Sequence, residues 1–159
     1  AQTHKSKHDQ DTWDALIIGA GPSGMMAAIN AARNGRRVCL LEKQNRVGAK
    51  LRASGGGRCN LTNTLDHESF RQRFGREGKF MRPALQALDQ QALRSFFEAL
   101  GVPTHAPDGF HVFPTSHRAT SVVEALEREM QRHPIEIMHR VQATELLISG
   151  GRITGVLAG

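Results

Sequence analysis

Apolar residues near the start of the chain come in two short runs separated by a stretch at helical spacing, the order of a strand–helix–strand unit. Asp14 to Ile18 is the first run and ends at Gly19, which predicts a buried parallel strand. Pro22 then stands where a first helical turn needs no N–H. Met25, Met26, Ala28, Ile29 and Ala32 follow at helical spacing, and Gly35 closes the helix. Val38 to Leu41 is the second strand, ended by Glu42. Residues 43–64 have no period and read as an ordered, glycine-rich loop.

Farther on, the spacing predicts helices over Arg82–Leu88 and Gln90–Leu100, the second capped by Asp89 and stopped by Gly101. Pro107-Asp108-Gly109 reads as a turn before a strand at Phe110–Phe113. Thr120 to Arg132 places Val122, Val123, Leu126 and Met130 on one helical face, and Pro134 ends it. Ile135–Met138, Glu145–Ile148 and Ile153–Leu157 read as strands, the last two joined by a Gly150-Gly151 turn. The fold class expected is α/β: a Rossmann-like parallel sheet with a β-meander near the C-terminus. Phe70, Phe74 and Phe80 are taken as packing residues.

Composition narrows the function classes. With 159 residues and 39% hydrophobic residues, the chain holds enough apolar surface for one core. Its longest uncharged apolar run, Ala15 to Ala20, is far shorter than the ~20 residues of a membrane helix. No basic-then-apolar signal opens the chain, so a cytoplasmic location is expected. Residues 1–12 are polar and aperiodic and are expected to be a disordered leader, with 13–159 forming the domain. Two cysteines, Cys39 and Cys59, are too few and too far apart for a disulfide framework. Of the eight histidines only His4 and His8 stand four apart, in the polar, aperiodic start of the chain, and no metal is expected. The net charge of +6 is concentrated: residues 33–82 hold thirteen Lys/Arg against four Asp/Glu. Such a block suits a phosphate-bearing partner. Recognition-helix and RNP-type aromatic signatures are missing, which sets a nucleic-acid-binding module behind a nucleotide cofactor.

Gly19-Ala20-Gly21-Pro22-Ser23-Gly24 matches GxGxxG, follows a strand and opens a helix. Gly19 permits the tight turn, Gly21 a close backbone approach to pyrophosphate, and Gly24 close helix–strand packing. The helix N-terminus adds N–H donors and positive potential. Glu42, eighteen residues past Gly24, is placed to accept from ribose hydroxyls. FAD and NAD both carry the ADP moiety this unit fits, and the fingerprint does not separate them. The segment Lys50-Leu51-Arg52-Ala53-Ser54-Gly55-Gly56-Gly57-Arg58-Cys59-Asn60 is equally pointed, because three consecutive glycines let backbone lie against a flat or charged ligand. Cys59 has no partner thiol for disulfide chemistry and is read as structural.

Together, Gly19 to Gly24, Glu42-Lys43, Ser54 to Asn63 and the later Asp108-Gly109, Val112 to Ser116, Ala119 and Val122 resemble the HI0933-like (YhiN/BaiN) family of bacterial FAD-dependent flavoproteins, from about Asp14 to the C-terminus. The resemblance implies an FAD-dependent oxidoreductase acting on a small organic substrate, similar to aminoacetone oxidases or reductases of dehydro-bile acids, with NAD(P)H or O2 as redox partner. It implies that Gly19, Gly21, Ser23 and Gly24 hold the pyrophosphate, with Ala20 and Pro22 also in the cofactor-binding turn, and that Glu42 holds the adenosine ribose. Lys43 and Lys50 would lie beside the cofactor, and Ser54, Gly55, Gly56, Gly57, Arg58 and Asn60 near the flavin. The backbone of Val141, on the strand entering the meander, would meet the adenine. Where family members have Gly-Arg-Lys this chain has Gly48-Ala49-Lys50, one basic contact fewer. Family chains are more than twice as long, so a truncated FAD domain is expected. Such a chain would bind FAD weakly and show no turnover. It would also leave the strands Asp14–Ile18 and Val38–Leu41 uncovered on one side and tend to aggregate. A nucleotide-binding fragment without catalysis is the alternative.

Overall fold

The computed structural model describes residues 12–159; the expected leader lies outside these except for Thr12. The described chain divides into two compact units, one made of the segments up to Val47 and from Met130 onward, the other of Gly48–Glu129.

In the first unit, β1 (Ala15–Ile18), α1 (Pro22–Arg33) and β2 (Val38–Glu42) form the expected strand–helix–strand. The sheet is parallel in the order β1-β2-β6, where β6 is Ile135–His139. Register runs Ala15 opposite Val38 to Ile18 opposite Leu41, and Val38 opposite Ile135 to Glu42 opposite His139. As the central strand β2 is buried at all five positions, so the expectation that Val38–Leu41 lies uncovered is corrected. Exposure falls on the edge strand β1, where Leu16 is 37% and Ile18 56% exposed, so the buried strand predicted for Asp14–Ile18 is corrected to one uncovered on one side. One face of α1 buries Met25, Ala28, Ile29 and Ala32, the residues singled out by their spacing apart from Met26. Beyond β6, β7 (Ala143–Ser149) and β8 (Arg152–Ala158) pair antiparallel, each longer than the apolar pattern predicts. The described meander is thus one hairpin.

The second unit contains α2 (Ala49–Ala53), β3 (Thr62–Asn63), α3 (His67–Gln72), α4 (Gly78–Ala87), α5 (Gln90–Ala99), β4 (Thr104–His105) and β5 (His111–Pro114). A sixth helix, α6 (Ala119–Gln131), leads back to the first unit. A small antiparallel sheet runs β3-β5-β4. Asp66 caps α3 by accepting from the Ser69 amide at 2.8 Å, and Asp89 caps α5 by accepting from Ala92 at 2.8 Å. Helix α4 begins four residues before the predicted start because Gly78 can sit against α3. A Cβ there would stand 2.2 Å from the Arg71 carbonyl oxygen. This orientation turns Phe80 outward at 88% exposure, so its expected packing role is corrected. Phe70 and Phe74 do pack on each other, ring centres 5.4 Å apart.

Candidate nucleotide site

Within the first unit, the residues expected to hold an ADP group gather at the carboxyl ends of the parallel strands, where ligands of open α/β sheets bind. Gly19 takes φ +92°, a left-handed conformation that a side chain would strain, and its N–H donates to the Leu41 carbonyl at 2.7 Å. Gly21 caps α1 with extended backbone, and its carbonyl accepts from the Met25 amide at 2.9 Å. No side chain caps this end of α1, and no acidic residue lies in its first turn. The first amides of a helix have no intrahelical acceptor, and Pro22 has no N–H, so Ser23 and Gly24 offer donors to an incoming anion. A Cβ built on Gly21 meets nothing within 4 Å, whereas one on Gly24 would lie 1.9 Å from the Gly19 carbonyl oxygen. The turn is therefore open in front and closed behind, and these residues fit a pyrophosphate.

Glu42 is 8% exposed, and its carboxylate is already engaged. Oε2 accepts from the Ala20 amide at 2.7 Å and Oε1 from the Gln44 amide at 2.8 Å. Ala20 itself is fully buried. The Glu42 carbonyl accepts from the Val141 amide at 3.1 Å, and the Gln44 carbonyl accepts from Arg140, a residue at φ +58°. Val141 lies in the link between β6 and β7, not on a strand, and its N–H is occupied, leaving its carbonyl for a ligand. Lys43 is exposed beside this end of the sheet.

The glycine-rich segment belongs to the second unit and is more ordered than a loop. Lys50 is an exposed residue of α2, and Ser54–Gly57 forms a 3-10 turn with Gly55 and Gly56 left-handed at φ +56° and +65°. Cys59, buried and left-handed at φ +63°, donates its amide to the Ser54 carbonyl at 3.1 Å. Burial pushes the Cys59 thiol up, against the opposing bond to Ser54. It stays protonated and poorly nucleophilic at neutral pH. Arg58 packs its guanidinium 4.8 Å from the Phe113 ring centre, and its Nε donates to the Gly55 carbonyl at 3.2 Å. Asn60 is exposed next to it.

Sequence reading overlooked a pair on the nearby turn. His111 Nδ1 lies 2.6 Å from Asp108 Oδ2, and this bond, followed by the Phe110 and His111 amides, holds the Asp108 carboxyl well below the usual carboxylate range. The signal was present as aspartate three residues before histidine across a Pro-Asp-Gly turn. Among the described residues no group of three His, Cys, Asp or Glu side chains could hold a metal ion, and no helix is long and apolar enough to cross a membrane.

Residues 13–157 match the HI0933-like protein Rossmann domain. Over 136 residues the chain is 38% identical to the 3-dehydro-bile acid delta(4,6)-reductase of Clostridium scindens, covering 84% of this chain and 32% of that protein. A stretch of 53 residues is 49% identical to the ribosomal RNA dihydrouridine synthase of Escherichia coli, 33% of this chain and 13% of the relative. Among solved structures, the 3-ketosteroid-delta4-(5alpha)-dehydrogenase of Rhodococcus jostii superposes with a TM-score of 0.73 at 15% identity, over 99% of this chain and 44% of that one. The FrdA subunit of Escherichia coli quinol fumarate reductase gives 0.69 at 18% identity, over 92% and 29%. At such identities the likeness speaks for the fold alone. The chain spans about a third of the length of the bile acid reductase it matches. With the family match covering nearly every described residue and a parallel βαβ frame carrying its glycine turn, the chain belongs to the HI0933-like family and has that family's Rossmann-like, FAD-binding fold.

Proposed function

We propose that this chain carries the ADP half of FAD for an oxidoreductase that adds hydride to a carbon–carbon double bond conjugated to a carbonyl. The observation that carries the cofactor assignment is the uncapped N-terminus of α1, with open space in front of Gly21. Ser23 and Gly24 would donate to the pyrophosphate. Glu42 would take the ribose hydroxyls on its two unused lone-pair sites, and the Val141 carbonyl would accept from the adenine amine. Lys43 would lie beside the cofactor. In the second unit Arg58, stacked on Phe113 and tied through Nε, presents its terminal N–H groups as a fixed fork for a carbonyl or anion. When bound, FAD supplies the hydride chemistry. The reaction class rests on the relatives: a Δ4,6-reductase of 3-dehydro-bile acids and a synthase of dihydrouridine both saturate double bonds conjugated to a carbonyl.

The test uses the product of the full reading frame, loaded with FAD and reduced without oxygen. Mixing with a 3-oxo-Δ4 steroid or with uridine-containing RNA should restore the oxidised flavin spectrum, while a saturated ketone should not. Failure of every conjugated alkene to do so would overturn the reaction class.

One observation favours an RNA-borne substrate over a free small molecule. His67, Arg71, Lys79, Arg82, Glu68 and Gln86 line a cleft of about 610 Å³ in the second unit, and Phe80, next in sequence to Lys79, is exposed. Arg71 pairs with Glu68, but Lys79 and Arg82 have no carboxylate partner among the described residues. Unpaired cations with an exposed aromatic suit a single strand. The double variant Lys79→Glu/Arg82→Glu should weaken oligouridylate binding by about tenfold or more and reduce the salt slope by about 1.4, ~0.7 per lost phosphate contact. Fluorescence anisotropy across a salt series reads both; an unchanged slope returns the reading to small substrates.

A further inference from the structure

We propose that Glu42 is a positioning residue that holds the phosphate turn in its binding shape, so that ribose and pyrophosphate recognition are coupled through one carboxylate. The proposal deepens the ADP-site reading and rests on it. Three segments distant in sequence meet at this residue. Its side chain accepts from Ala20, inside the glycine turn twenty-two residues earlier, and from Gln44 just past β2. Its main-chain carbonyl accepts from Val141, after β6. The ends of all three parallel strands are thus tied to a single residue.

The Ala20 amide is the telling partner. It is buried in the middle of the turn, and it donates to Glu42 Oε2. A buried donor stripped of its acceptor bears its full desolvation penalty, so loss of the carboxylate must let Ala20 move toward water or another acceptor. Gly19 on one side is fixed by its bond to Leu41, and Gly21 on the other starts α1. Movement at Ala20 therefore redirects the amides of the first helical turn. A carboxylate offers about four lone-pair sites, of which two are used here, so one on each oxygen remains for the vicinal hydroxyls of a ribose.

Charge gives the proposal a sign that a ribose-only role lacks. A carboxylate beside an anion site repels phosphate. If Glu42 served the ribose alone, Glu42→Ala would leave inorganic pyrophosphate binding unchanged or make it tighter. If Glu42 shapes the turn, the same variant must weaken pyrophosphate binding although a repelling charge has gone.

The experiment measures equilibrium dialysis of inorganic pyrophosphate and of ADP against the chain and its Glu42→Ala and Glu42→Gln variants. Hydrogen exchange at the Ala20 amide is followed in parallel. Glutamine keeps one accepting oxygen and should preserve one of the two side-chain bonds. The expected result is a loss of pyrophosphate affinity of about tenfold in Glu42→Ala, a smaller loss in Glu42→Gln, and faster Ala20 exchange in the same order. Unchanged or tighter pyrophosphate binding, or an Ala20 amide as protected as in the parent, would overturn the coupling. If the parent bound neither pyrophosphate nor ADP, the nucleotide reading would fall, while exchange at Ala20 would still decide the brace.

Discussion

Gly21→Val is expected to leave the fold standing and to remove nucleotide binding. Gly21 has φ −74° and ψ 179°, extended backbone that a β-branched residue adopts readily. The new Cβ meets nothing within 4 Å, so the empty protein suffers no clash. A change in stability within about 0.5 kcal/mol follows, as for other substitutions that disturb no contact. The isopropyl group would instead stand in front of the Ser23 and Gly24 amides, where the pyrophosphate must come. Charge-assisted hydrogen bonds contribute about 1.5–3 kcal/mol each, so losing both weakens ADP binding by roughly a hundredfold or more. Thermal melting and an ADP titration of the same preparation separate the two effects. Parent-like ADP affinity would show that the phosphates lie elsewhere.

Gly24→Ala should do the reverse and damage the fold first. In a free helix alanine gains about 1 kcal/mol over glycine. Here its Cβ would lie 1.9 Å from the Gly19 carbonyl oxygen and 3.1 Å from its carbonyl carbon, both backbone atoms. Either the Gly19 turn or the start of α1 has to shift, and Gly19 is held by its bond to Leu41. Overpacking of this kind costs about 1–3 kcal/mol even where side chains can adjust, and backbone adjusts less. A net loss of about 2 kcal/mol lowers the melting temperature by roughly 4–8 °C for a chain of this size. A variant that melted with the parent would contradict the close helix–strand packing assigned to this glycine.

How much of this was legible in the sequence differs by segment. The β1-α1-β2 unit was, because its strands are short runs of apolar residues and its helix has one apolar face. The start of α4 was not: apolar periodicity is weak over 67–81, and what builds that region is the Asp66 cap and the Glu68–Arg71 pair. Phe80 misled for the same reason, since its direction is set by the contact of Gly78 with α3 and no local pattern carries that. The glycine run was recognised as special, but α2 has only five residues, too few for a period to register. Glu42 was read as a candidate ribose acceptor from its spacing. Its bond to Ala20 was invisible because it spans twenty-two residues and forms only once β1 and β2 are in register. The backbone of Val141 was expected at the adenine; that its amide is taken by Glu42 follows from the link after β6 closing back on β2, which no local pattern carries.

The central claim is that the Gly19–Gly24 turn and Glu42 bind the ADP half of FAD. It is tested most directly by titrating the chain with FAD, following quenching of flavin fluorescence, and then competing with ADP or with FMN. Saturable FAD binding that ADP displaces and FMN leaves untouched is the expected result. FAD binding displaced by FMN but not by ADP, or no FAD binding at any protein concentration, would contradict it.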